Sequence, residues 1–157
     1  MLAMQLPKIP RSLLRPPRGF KKPKVSDFQA DMQRLGEDIA EKFKERVKTN
    51  IEENTYNFPL AESTRRRKGS SIPLIDTGEL VDSIYRDGTT VSVADTPRDD
   101  SSLTNLELAI VQEYGTKDKH IPARPVWRNT FNDFRKEAKG EIEEFFQTKQ
   151  FKRRRKK

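Results

Sequence analysis

Eight apolar residues early in the chain restrict the fold more than anything else in it. Val25, Phe28, Met32, Leu35, Ile39, Phe43, Val47 and Ile51 recur at spacings of three or four. On a helix of 3.6 residues per turn they form one stripe. Ser26 is placed to cap, with Asp27 and Asp31 near the positive end of the dipole. The spacing predicts a helix over 26–54, a rod of about 40 Å. One stripe on so long a rod needs a long partner surface, either the rest of the domain or a neighbouring subunit.

A second stripe supplies a candidate. Trp127, Phe131, Phe134, Ala138, Ile142 and Phe145 predict a final helix that starts at Pro125 and runs to about Gln147. Between the two stripes the pattern is shorter. Residues 55–73, punctuated by Pro59, Gly69 and Pro73, read as a loop whose Arg65, Arg66, Arg67 and Lys68 form a solvated run or a binding patch. Asp76 or Thr77 can cap a short helix from Gly78, and Asp76 with Glu79 has capping-box spacing. Leu80 and Ile84 share its face. Asp87-Gly88 is a turn pair between Ser83–Arg86 and Thr90–Ala94, predicting a hairpin with Val91 and Val93 turned to the core. Residues 95–104 read as an exposed loop. A helix follows over Asn105–Tyr114, with Leu106, Ala109, Ile110 and Tyr114 along one side and Gly115 ending it in the left-handed conformation. The sum is an α+β domain: a small antiparallel sheet packed with two long amphipathic helices and short helices.

Charge divides the 157-residue chain into three parts. Of its 32 Lys and Arg, seven lie in residues 1–24 and seven in 149–157, with no acid in either segment. The remaining 18 face all 24 acidic residues, so the body carries −6 while the whole chain carries +8. We therefore divide it into a basic arm over 1–25, a domain over 26–147 and a basic tail over 148–157. Prolines at 7, 10, 16, 17 and 23 disfavour helix and central strand in the arm, which leaves an extended chain with Leu13 and Leu14 as anchors or a disordered tail. An acidic body between basic ends argues against a compact nucleic-acid domain with a basic face.

The chemistry classes thin out quickly. The chain has no cysteine and one histidine, His120. Disulfides, thiolate catalysis and multi-histidine metal sites are therefore not expected. Asp76, Glu79 and Asp82 are explained as caps and solvent-face residues, and Ser83 has no evident base. The glycines match no phosphate-binding or dinucleotide fingerprint, so neither enzyme activity nor a cofactor is expected. No apolar run approaches the ~20 residues of a membrane span. The N-terminus lacks the apolar stretch of a secretory signal, which predicts a cytosolic product. In Ile121-Pro122-Ala123-Arg124-Pro125 the prolines stiffen an extended segment and fix the direction of Arg124. That leaves Arg124 to salt-bridge within the fold or to pair with a neighbour.

Taken in order, these segments resemble the phage virion-morphogenesis proteins, including Mu-like tail-completion and head–tail joining (neck) proteins. Thr64, Lys68 and Gly69 match a first element of that pattern. Leu74, Ile75, Thr77, Gly78, Leu80, Ser83 and Ile84 match a second, Tyr114 and Gly115 a third, and Ile121, Pro122, Ala123, Arg124 and Pro125 the last. Val126 and Trp127 stand where the pattern has Phe-Leu. The resemblance covers about residues 60–135. It implies a non-enzymatic structural virion protein, assembled in the host cytoplasm into six-fold or twelve-fold rings at the head–tail junction. Its partners would be further copies of itself and the neighbouring head-connector and tail proteins. Arg11, Arg15, Arg18, Lys21 and Lys22 of the arm, with Arg153, Arg154 and Arg155 of the tail, would grip those neighbours or packaged DNA. The alternative is a nucleic-acid-binding protein that acts through its basic termini without sequence preference. A hydrolase using Asp76 and His120 has no support in the spacing.

Overall fold

The computed structural model describes residues 25–67, 71–99, 102–118 and 120–154. The order is α1 (Val25–Glu52), α2 (Glu62–Arg67), α3 (Glu79–Asp82), β1 (Ile84–Asp87), β2 (Thr90–Val93), α4 (Asn105–Tyr114) and α5 (Val126–Arg154). The fold is α+β, with two long helices and one two-stranded antiparallel sheet.

The two long helices find each other. Asn50 pairs with Thr130 at 2.8 Å, Arg46 with Glu137 at 3.2 Å and Lys42 with Glu141 at 2.7 Å. The numbers fall on one helix as they rise on the other, so α1 and α5 are antiparallel. Phe43 packs among Trp127, Phe131 and Phe134, with ring centroids 6.3, 6.3 and 5.7 Å away. Phe28 meets Phe145 and Phe146, each at 6.2 Å.

The stripe on α1 is not buried evenly. Only Val47 and Ile51 enter the main core, where they join Leu74, Leu80, Val81, Ile84, Val93, Ala109 and Val126. Val25 is 72% exposed and Phe28 is 38% exposed. The reason is coverage: the small elements gather at the C-terminal end of α1, and its first turns have α5 to lean on. Ser26 lies inside α1 and its hydroxyl donates to Asp27 at 3.3 Å rather than capping.

The hairpin forms with a shifted turn. Asp87 pairs with Thr90 and Ile84 with Val93, so the loop residues are Gly88 and Thr89, not Asp87 and Gly88. Gly88 has φ 56° and Thr89 has no positive φ, as a two-residue loop with glycine first requires. The loop tip lies on α1. A Cβ on Gly36 would come 2.8 Å from the Thr89 methyl, so this glycine sets how closely the hairpin approaches. Arg86 crosses to Glu41 at 2.9 Å and adds a polar tie along the same seam. Val93 is buried and Val91 packs beside it, on the face predicted.

Other expectations change at the ends of elements. The 55–73 stretch holds a helical segment, α2, in which Arg65 and Arg66 reach back to Glu62. The Asp76–Glu79 capping box does not form. The cap of α3 is Gly78 itself, at φ 92°, with no side-chain bond. The capping box belongs to α4, where Thr104 and Glu107 exchange bonds of 3.2 and 2.9 Å. The described residues of the 95–104 loop are mostly exposed, as expected, but the loop is tied down at Arg98 and Thr96. The Arg98 side chain is 5% exposed and donates to Asn105 at 2.9 Å, and Asn105 bonds Thr96 at 2.9 Å. Finally, α5 does not stop near Gln147 but continues to Arg154. No glycine or proline follows Gly140, and Lys and Arg are good helix formers that suit the negative end of the dipole. Residues 149–154 of the predicted tail are therefore helical. The arm over 1–24, with Arg11, Arg15, Arg18, Lys21 and Lys22, lies outside the described residues, as do Lys68, Gly69 and Arg155.

Candidate subunit interface

The later motif builds a junction between α4 and α5. Helix α5 has no acid in its first turn, and α4 has no base in its last turn. Glu113 answers the first need at the expense of the second. Its carboxylate accepts from the amides of Trp127 at 3.0 Å and Arg128 at 3.1 Å, and is buried to 8% exposure. Two otherwise orphan donors of α5 are thereby satisfied by a side chain from the preceding helix.

The loop joining them is wound tightly. Thr116 and Ile121 bond twice, at 3.0 Å each, and the Arg124 amide donates to the Gln112 carbonyl at 2.6 Å. Gly115 has φ 74° and ψ 179°. This is not the left-handed helical form predicted but an extended positive-φ form nearly exclusive to glycine. A Cβ there would also stand 2.8 Å from the Ile121 carbonyl oxygen and 2.9 Å from the Ala123 nitrogen. Pro122 and Ala123 are exposed, and Pro125 is half-buried before the first turn of α5.

Arg124 turns inward. Its guanidinium donates to Gln112 Oε1 at 2.8 Å and the Pro59 carbonyl at 3.3 Å, and its Nε is buried without a partner. Among the described residues it makes no ion pair. The internal salt bridge, one of its two expected roles, is replaced by neutral acceptors, and burial lowers its proton affinity. The arginine ties the loop after α1 to the end of α4.

The earlier motif is architectural as well. Leu74, Leu80 and Ile84 are core residues. The Ser83 hydroxyl donates to the Leu80 carbonyl at 2.7 Å, and Thr77 is exposed with its oxygen 3.5 Å from the Glu79 amide. His120 is exposed and its Nδ1 lies 3.0 Å from Asp118.

The surface beside the junction is concave and partly apolar. A groove of about 440 Å³ runs between β2, α4 and α5, floored by Val91, Leu106 and Trp127. Its rim holds Ile110 at 51% exposure, Tyr114 at 67% and Phe131 at 57%. Ile110 and Tyr114 belong to the apolar side of α4 read from the sequence, and Phe131 to the α5 stripe. The core is filled by other residues, and these three remain at the surface. Arg128 lies over the Tyr114 ring, 5.4 Å from its centre, and closes one end of the groove.

Sequence reading missed Glu113, the polar cluster of Asn50, Tyr56, Thr130 and Asp133, and the groove. Glu113 carried a signal: an acid in the last turn of a helix opposes its own dipole and needs another purpose.

Comparison with known proteins adds no relative. No family model matches the chain, and neither the curated proteins nor the solved structures contain a significant match. Among the described residues, no helix is long and apolar enough to cross a membrane and no group of His, Asp or Glu is placed to hold a metal ion.

Proposed function

We propose that this protein is a structural virion component of a tailed phage, a ring-forming adaptor that completes the junction between head connector and tail. The observation that carries the reading is the exposed apolar rim of Ile110, Tyr114 and Phe131 around a groove. Contiguous apolar surface of this kind marks an interaction site on a soluble chain. The motif order that resembles the neck proteins supplies the biological setting. A closed ring needs two complementary faces on each subunit, and the groove is one such face. The stiff loop over 121–125 holds that face in place.

A tailed phage with this reading frame interrupted is expected to accumulate filled heads and finished tails lying apart in electron micrographs. Joined, infectious particles would overturn the proposal.

A second reading is sequence-independent nucleic-acid binding through the termini. It is favoured by the continuation of α5 through Lys149, Lys152, Arg153 and Arg154, which puts a basic run on a helix end. DNA binding that weakens steeply with added salt would support it, and no binding at low salt would remove it.

A further inference from the structure

We infer that the occupant of the α4–α5 groove is the proline-rich segment over residues 7–17 of a neighbouring copy of this chain. The inference rests on the assembly reading and names the partner of that same face.

Chemistry selects the occupant. The groove is lined by Tyr114, Trp127 and Phe131 with Ile110 and Val91. Aromatic grooves of this kind take proline-rich extended segments, which dock with little loss of conformational entropy. The chain carries such a segment. Pro7-Lys8-Ile9-Pro10-Arg11 has two prolines at the spacing that puts both on one face of a three-residue-per-turn helix. Leu13, Leu14, Pro16 and Pro17 continue its apolar content. Charge agrees: the first 24 residues carry seven bases and no acid, and the body they would meet carries −6. That difference attracts the arm to the body before any close contact is made.

Reach favours a neighbour over the same chain. Phe43, which packs on Trp127, is 18 residues from Val25, or about 27 Å along α1. Residues 18–24 span about 22 Å when extended. Return within one chain would ask a link of about 22 Å to cover about 27 Å. A neighbour set beside the subunit receives the segment without that reversal. Each copy then gives an arm and accepts one, a head-to-tail relation that closes into a ring.

The test uses the full chain with Phe131→p-benzoylphenylalanine, a photo-crosslinker at an exposed rim position that leaves the core intact. After irradiation, covalent dimers are digested and the joined peptides identified by mass spectrometry. We expect the linked peptide to fall within residues 7–17. We also expect the link to drop to background when Pro7→Ala, Pro10→Ala, Leu13→Ser and Leu14→Ser are combined on the same chain. Dimers joined through some other segment would overturn the inference while leaving association through this face intact. Links to residues 7–17 found only within single chains would overturn donation between copies. No dimers at any protein concentration would sink both this inference and the assembly reading on which it rests.

Discussion

The Glu113 carboxylate sits over the first turn of α5 and accepts from the amide of Trp127 at 3.0 Å, with Arg128 following at 3.1 Å. One side chain therefore couples the end of α4 to the start of the longest helix. Glu113→Ala is expected to cost about 1–2 kcal/mol, the usual loss when a cap is removed. Glu113→Gln keeps one acceptor and should lose less. Urea unfolding followed by circular dichroism measures both. A Glu113→Ala variant as stable as the parent would show that water replaces the cap at no cost.

Two glycines of the later half should respond in opposite directions. Gly115→Ala puts a Cβ against the Ile121 carbonyl oxygen at 2.8 Å and forces a positive φ on a non-glycine residue. A loss of about 1–3 kcal/mol follows. Gly140 lies exposed inside α5 with nothing within 4 Å of a built Cβ. Gly140→Ala should gain about 0.5–1 kcal/mol from helix propensity. Thermal unfolding of the two variants side by side decides it; a shared sign would refute the account.

Tyr56 gives the fold an alkaline limit. Its hydroxyl donates to Asp133 at 3.0 Å and accepts from Asn50 at 3.2 Å, and burial pushes the phenol above its ordinary value. The unfolded phenol ionises near about pH 10, and the folded one higher. Its contribution is therefore complete below that pH and is lost as pH rises through it toward the folded value. Tyr56→Phe should cost about 1 kcal/mol at neutral pH, and the gap from the parent should close above about pH 10. A gap that stays constant into alkali would contradict this.

The elements that sequence reading located are those with a strong local signal. The stripes on α1 and α5, the Asn105–Tyr114 helix and the hairpin each follow from periodicity or from a turn residue. What it misplaced depends on distant partners. The turn moved by one residue because Thr89 seats on Gly36 and the strands register against α1. The capping box expected at Asp76 does not form because Gly78 occupies the cap position of α3, and the box that does form is at Thr104 on α4. Arg124 found neutral acceptors at Gln112 and Pro59, the latter 65 positions earlier in the chain. Ile110, Tyr114 and Phe131 share the periodicity of core residues, and periodicity does not say how much core there is to enter. The groove is visible once Val93, Ala109 and Val126 are seen to fill that core without them.

The groove rim yields the prediction that separates stability from association. Ile110, Tyr114 and Phe131 are each more than half exposed, so truncating them leaves the main core in place. Tyr114→Ser with Phe131→Ser should cost no more than about 2 kcal/mol of folding stability, through the lost contacts with Arg128 and Phe43. The same pair should weaken self-association by an order of magnitude or more, since aromatic anchors dominate interface energy. Sedimentation velocity over a concentration series reads the second quantity and chemical unfolding the first. A large stability loss would show that the rim belongs to the core of the single chain. Unchanged association with intact stability would show that the copies meet through another face.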